Sequence, residues 1–502
     1  RADLDPTHAS FIDGAVLNNH PFHEAISAIK GRPAYREVDR RLVYIDPNPA
    51  PVRAIKYRTV PGFFLTLKGA LADIPANQPV SDELRWVFDY NVEARAFRSV
   101  IEGARPQISV LVSDTVDKFD QKTSGDQIKT WREEINSRAA RDAGFAYEGY
   151  ARLKLASVRN FVTKIILEIG GIPARSPAAR AANEIIEAWA ERRGIVYDRG
   201  GHDAVLRENS GTDKLPRWAR FFLAFDVDYR KRRLNFLIEA QNRLYHMLDE
   251  DRYRGLDARV VDGLKREYYR KLDVLRRREE AKFYSVEAHG LVNELFGLDP
   301  DEEDAKDLAA FARRYVEANH EKIDRLIELL AAEIDLAAST RDLDDLIASI
   351  DPAQWTPDAH REVLINYLGF PFWDVLTFSV ASANGAGEIQ EILVDRISPQ
   401  DIRTLKGFDR VESLKGTGFG HFAAFLSRSY RENDYLLGRM HAIDRMIDIV
   451  CDSAGVDPVT PEILAIKKRA FTRVLDVEAP HLTHSESLFS ALRRCVSGIA
   501  GH

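Results

Sequence analysis

The chain has little cysteine, no surplus of positive charge and no long uninterrupted apolar run, and each shortage excludes something. Two cysteines among 502 residues, Cys451 and Cys495, cannot form a four-cysteine zinc site, and their wide separation does not suit the close pair of a zinc finger. A chain of this length buries a large core without disulfides, so this cysteine usage points to a reducing compartment. Lys+Arg 71 against Asp+Glu 78 leaves a formal net charge of -7. That argues against broad nucleic-acid binding, because neutralising phosphates needs a basic surplus. Gly 29 and Pro 21 with 45% hydrophobic residues exclude collagen-like, low-complexity and disordered classes. No repeat of fixed period is present. No charged-then-apolar leader opens the chain and its first residue is Arg1, so it reads as a fragment whose upstream segment is missing.

The most apolar stretch, 363–383, carries one charge, Asp374, and is diluted by Asn366, Gly369, Pro371, Thr377, Ser379 and Ser382. It is expected as a buried helix pair kinked at Pro371 rather than a membrane span.

What is present is mainly helical. The expected fold is mainly α: the C-terminal remnant of an α/β/α domain over 1–120, a long helical bundle over 121–350, and a mostly helical C-terminal domain over 351–502. In the first part, Arg41-Leu42-Val43-Tyr44-Ile45-Asp46 reads as a strand stopped by Pro47-Asn48-Pro49, and Ile108 to Val112 reads as a second. Phe63 to Leu71 and Leu84 to Ile101 carry helical spacing. A strand such as Leu42 to Ile45 needs parallel neighbours, and the sequence before it supplies at most one. From Asp126 to Ala338 the spacing is helical, longest over Pro216 to Asp251 and Leu256 to Phe296, with breaks at Gly170-Gly171-Ile172-Pro173 and Gly297-Leu298-Asp299-Pro300. Antiparallel helical hairpins follow from this pattern. Thr356 and Pro357 read as an N-cap and first helical residue, Ile389 to Ile397 as a strand, and Gly420 to Val450 as a helix ended by Gly455.

The strongest chemical signal is Phe11-Ile12-Asp13-Gly14-Ala15-Val16-Leu17-Asn18-Asn19-His20-Pro21. An apolar pair delivers Asp13 at a strand end, Gly14 permits a tight turn, and Asn19 and Pro21 precede a helical pattern. This block resembles the patatin-like lipid acyl hydrolases, whose second catalytic residue sits in Asp-Gly-Gly or Asp-Gly-Ala followed by Asn and Pro. The resemblance implies that Asp13 is the base of a Ser-Asp dyad, with Gly14, Ala15 and Asn19 as supporting motif residues and a lipid or other acyl ester as substrate. A carboxylate at a rigid strand end can take a serine proton directly. Arg41 to Pro49, Pro61-Gly62-Phe63-Phe64, Ile74-Pro75 and Gln78-Pro79, with Gly418 to Arg445, resemble a bacterial subgroup in which the patatin-like domain continues into a large helical region of unknown function.

One element of that pattern is missing. No glycine in the chain is followed by serine at +2 and glycine at +4, so the nucleophile elbow is absent. Cys451-Asp452-Ser453-Ala454-Gly455 imitates it but ends a helical pattern, where Gly455 is a helix stop. The serine is therefore expected in a segment upstream of Arg1, and the isolated chain is expected to be inactive.

Weaker constellations have ordinary explanations. Gly416-Thr417-Gly418-Phe419-Gly420 could cradle phosphate at a helix start, but reads better as a helix-entry loop. Asp434, His441, Asp444 and Asp448 recur near one helix face. They could hold a divalent cation, but Arg439 and Arg445 between them favour an ion-paired face. His8, Ser10 and Asp13 lie too close on an extended segment to converge as a triad. Arg217, Arg220 and Arg230 to Arg233 interleave with Trp218, Phe221, Phe222, Phe225 and Tyr229. Such a helix could lie on anionic lipid, but reads better with rings buried and arginines on the wet side. No cofactor and no metal are called for. The expected protein is cytoplasmic, with peripheral membrane contact as an option. The alternative function is a helical assembly or interaction module on a non-catalytic α/β support, and a homo-oligomer is an option in either reading.

Overall fold

In the computed structural model, the described residues are Ala25, 41–46, 80–116, 119, 121–198, 215–298, 304–383, 391–416 and 426–499. The fold is mainly α. The described residues form two compact units: those within Asp39–Val92 and Glu391–His502 make one, and those within Glu93–Gln390 make the other.

The first unit is built on a two-stranded parallel sheet, β1 (Arg41–Ile45) and β2 (Leu393–Ile397). β1 is where the β-branched run before Pro47 predicts it. Its partner comes from far along the chain, with Leu42 opposite Val394 and Ile45 opposite Ile397. Leu42, Val87 and Ile392 bury a small apolar cluster against this sheet. The C-terminal helices of this unit pack around a separate core of Ile402, Leu436, Met440, Phe471, Leu475 and Leu492.

Helix α1 (Val80–Ser113) has Pro106 inside it. The expected strand at Ile108 to Val112 is therefore corrected to helix. Ile108 and Val112 are both buried while Val110 between them is exposed. That is spacing of four on one face, which outweighs the β propensity of the run.

The second unit holds α2 (Gly125–Asp142), α3 (Phe145–Ile169), α4 (Pro177–Arg192), α5 (Arg217–Phe225), α6 (Val227–His246), α7 (Ala258–Arg277), α8 (Val286–Phe296), α9 (Leu308–Ile334), α10 (Leu336–Ala348) and α11 (Pro357–Ala383). Starts follow their capping residues: Ser176 accepts from the Ala179 amide ahead of Pro177, and Thr356 from Ala359 ahead of Pro357. α3 stops at Gly170, with Gly171 at φ 62°.

The two patterns expected to be longest are each broken. Asp226 ends α5 and caps α6 by accepting from the Tyr229 amide, and residues 278–285 part α7 from α8. α11 is one continuous helix with Pro371 inside it, not a pair. Among the described residues no helix is long and apolar enough to cross a membrane. Consecutive helices pack as α6 with α7 and α8 with α9, yet α4 packs on α9, and α2 on α10 and α11, so long-range pairs supplement the expected hairpins.

One close approach fixes α11 in this core. A Cβ on Gly369 would meet Ile108 Cγ2 at 2.6 Å and the Trp373 ring at 3.0 Å. Trp373 Nε1 donates to the Ile101 carbonyl at 3.0 Å.

The aromatic and basic run at 217–233 has its rings inside, with Trp218, Phe221 and Phe225 buried. Its arginines are not all on the wet side as expected. Arg233 is buried and Arg232 nearly so, because Asp374 of α11 receives Arg232 and the Tyr229 hydroxyl receives Arg233.

Candidate functional site

Asp13, Gly14, Ala15 and Asn19, with His8 and Ser10, lie outside the described residues. The nearest described strand after that block, β1, lies in the same unit as the C-terminal helices α12 (Arg428–Ser453), α13 (Pro461–Glu478) and α14 (Glu486–Ser497), and α12 holds it. Arg41 of β1 donates to Asp395 of β2 at 3.0 Å and pairs with Asp452 of α12 at 2.7 Å. Arg445 of α12 donates to the Arg396 carbonyl at 3.0 Å and to Asp395 at 3.3 Å. Four charges thus tie both strands to one helix.

The residues expected on one face of α12 are in place, but that face is buried. Lys467 of α13 is 1% exposed and meets Asp444 at 2.7 Å as well as Asp448. Asp444 also accepts from the Arg403 amide at 3.0 Å, the Thr404 amide at 3.2 Å and the Thr404 hydroxyl at 2.6 Å. Burial alone would raise its pKa, yet hydrogen bonds from Lys467 and Thr404 and the lysine charge bring it below the ordinary carboxylate value. His441 has its pKa lowered by burial and sets Nε2 2.9 Å from the Phe408 carbonyl, so the neutral ring donates there.

Arg439 pairs with Glu478 rather than along its own helix. Arg445 does pair along α12, with Asp448 at 3.8 Å, so the ion-paired reading holds for it; the network is interior, and Lys467 is the residue that spacing on α12 alone does not show. Among the described residues no three His, Cys, Asp or Glu side chains stand together as a metal site.

Asp434 answers the question of the glycine loop. Its carboxylate accepts from the Lys415 amide at 2.7 Å and the Gly416 amide at 2.6 Å, so the first amides of that loop are already taken. The loop from Thr417 to Phe425 lies outside the described residues.

The helical unit has its own buried charges. Asp374, the single charge of its apolar stretch, receives Arg232 at 2.7 and 3.1 Å and the Tyr150 hydroxyl at 2.7 Å. Lys154 bonds Tyr150 at 2.8 Å, pairs with Asp226 at 2.9 Å and lies 4.1 Å from the Tyr229 ring centre. Burial would raise the Asp374 pKa, but Arg232 and Lys154 hold it below the ordinary range. Arg132 forks onto Asp344 at 2.9 and 3.0 Å, and Tyr367 donates to the same carboxylate. Such mutually satisfied groups position helices.

Residues 224–484, just over half of the chain, match the family described as a protein of unknown function, DUF3376. The chain belongs to this family. The DUF3376 span begins within α5 and closes just before α14, so it takes in Arg232, Asp374 and the Lys467 network but not the Asp13 block. No match was found among curated proteins or solved structures.

Proposed function

We propose that this DUF3376 chain is the C-terminal portion of a patatin-like serine acyl hydrolase acting on lipid esters, with Asp13 as the base. The observation that supports it is the Asp13-Gly14-Ala15 block with Asn19 in the sequence, followed by a strand that pairs in parallel with β2. Parallel pairing requires a crossover and is the habit of α/β domains.

In this reading a serine from a segment outside these 502 residues loses its proton to the Asp13 carboxylate and attacks the ester carbonyl. The alcohol leaves with that proton, and an acyl-serine remains. Asp13 then takes a proton from water, the hydroxide attacks the acyl carbon, and the fatty acid and free serine are released. No cofactor enters the cycle. The compartment is the cytoplasm, which suits two free thiols, Cys451 and Cys495.

The test is hydrolysis of a short-chain ester by the full-length protein and its Asp13→Asn variant. A loss of about 10²- to 10⁴-fold in rate is expected for removing a general base. Equal rates, or no hydrolysis by the unaltered full-length protein on any lipid ester tried, refute the assignment.

A further inference from the structure

Two clefts in the helical unit are rich in arginine, and their charge balance differs. One, of about 190 Å³, is lined by Arg105, Arg243 and Arg252. Each has a carboxylate: Arg105 bonds Glu102 at 3.1 Å and Glu362 at 3.2 Å, Arg243 bonds Glu102, and Arg252 bonds Glu250 at 2.8 Å. That cleft is internally neutralised.

The other, of about 210 Å³, lies where α6, α7 and α10 meet and is lined by Arg230, Arg233, Arg270 and Lys271 against Glu267 and Asp342. Glu267 is spent on Arg270. Arg230 turns to the backbone carbonyls of Asp226 at 2.9 Å and Leu223 at 3.4 Å. Arg233 donates to the Tyr229 hydroxyl at 2.7 Å and lies over the Tyr229 and Tyr367 rings. The Nε atoms of both arginines are buried without a hydrogen-bond partner.

Asp344 gives its hydrogen bonds to Arg132 and Tyr367 and reaches Arg233 only through its charge. Lys271 has no ion-pair partner among the described residues. Burial pulls the Arg230 pKa down to about 10; the Asp226 charge opposes the fall, and the charges of Arg233 and Arg132 add to it.

Four cations against the two carboxylates Glu267 and Asp342 leave this cleft with a surplus of positive charge, which costs free energy that a bound anion returns. We propose that the cleft formed by Arg230, Arg233 and Lys271 binds the phosphate dianion of a phosphate monoester. Two guanidiniums and an ammonium suit a dianion with three accepting oxygens better than a carboxylate. Ser339 adds a hydroxyl whose present bond to the Asp335 carbonyl is long, 3.5 Å. Leu234 and Val274 line the same cleft and offer apolar contact for the esterified group. This site goes beyond the hydrolase reading and does not depend on it.

The experiment is calorimetric titration of inorganic phosphate, and separately of monomeric dihexanoyl phosphatidic acid, into the full chain at constant ionic strength. Lys271→Gln is compared with Lys322→Gln, a surface lysine paired with Glu294. Saturable phosphate binding is expected, weakened about tenfold or more by Lys271→Gln, the loss of one charge-assisted bond, and unchanged by Lys322→Gln. Tighter binding of the phosphatidic acid assigns the cleft to a lipid headgroup, and equal or weaker binding assigns it to a soluble phosphate; both support the site. No saturable phosphate binding, equal affinity in Lys271→Gln, or acetate binding as tightly as phosphate overturns it.

Discussion

Replacing Lys467 by methionine tests whether the interior of the C-terminal unit is held as the geometry indicates. The ammonium is 1% exposed and lies between Asp444 and Asp448, themselves 0% and 4% exposed. Methionine fills much of the volume but leaves Asp444 facing Asp448 with no cation of its own, and Asp448 with only Arg445 at 3.8 Å. Removing one member of a buried ion pair costs about 3–5 kcal/mol, because the remaining charge is kept from water without its main counter-charge. Since the chain has two units, a global denaturation curve mixes their transitions. Hydrogen exchange is the better assay: the Thr404 amide donates to Asp444, so peptides spanning it and α12 report the local opening. A loss of that size means roughly 10²- to 10⁴-fold faster exchange there.

The pH dependence has a definite sign. In the native protein the Asp444 pKa is lowered, so its contribution is complete above the ordinary carboxylate value and is lost as pH falls through the lowered one. Without Lys467 the chief hydrogen bond opposing burial is gone, and Asp444 shifts upward. The variant's deficit should therefore be largest at neutral pH and shrink toward about pH 4.5, as the carboxyl becomes protonated. Lys467→Met with Asp444→Asn should recover part of it at neutral pH. A deficit under about 1 kcal/mol, or one that grows in acid, would refute the reasoning.

Two further expectations concern the helical unit. Gly369→Ala places a methyl 2.6 Å from Ile108 Cγ2 and 3.0 Å from Trp373; overpacking of about 1–3 kcal/mol exceeds the helix-propensity gain of about 1 kcal/mol. The melting temperature should fall, and an unchanged or raised one contradicts the close approach. His360 is 1% exposed with its pKa lowered by burial, so stability should be full above about pH 6.5 and decline as pH falls from there toward the lowered value. Urea melts between about pH 7 and 5 check this, and His360→Gln should flatten that part of the profile.

Local signals in this sequence are reliable where the cause is local. Ser176-Pro177 and Thr356-Pro357 start helices, Gly170-Gly171 stops one, and the β-branched run at Arg41 to Ile45 makes a strand. Ile108 to Val112 misleads because β-branched residues and Pro106 favour a strand on propensity, while the burial that overrides it comes from α11, far later in the chain. The charged residues follow the same rule. Spacing places Asp444 and Asp448 on one face of α12, but nothing in that spacing announces Lys467 on α13. Asp374 reads as an oddity in an apolar run until Arg232, distant in sequence, supplies its partner. Of the candidate catalytic block, the motif itself is legible in the sequence, and so is the strand after it. The neighbour that strand requires is not, because pairing between such distant segments leaves no periodic trace.

That pairing has a consequence for how the chain is organised. Between β1 and β2 the chain passes through residues 93–390, which hold all the described residues of the helical unit. Closing so long a loop from an unstructured chain would cost about 5 kcal/mol on logarithmic scaling, and a two-stranded sheet alone is marginal. Both difficulties ease if the two ends of the loop are brought together before the strands pair. Asn91 does this chemically. Its side-chain amide donates to the Ile392 carbonyl at 3.0 Å and accepts from the Ile392 amide at 2.8 Å, a reciprocal clasp at the two ends of the inserted unit. Ile392 directly precedes β2, so the clasp delivers β2 to β1 close to its register, and Arg41, Asp395 and Arg445 then lock it. The chain thus leaves the first unit after Asn91 and returns to it at Ile392 with those two residues in contact, the condition under which a long intervening segment is tolerated.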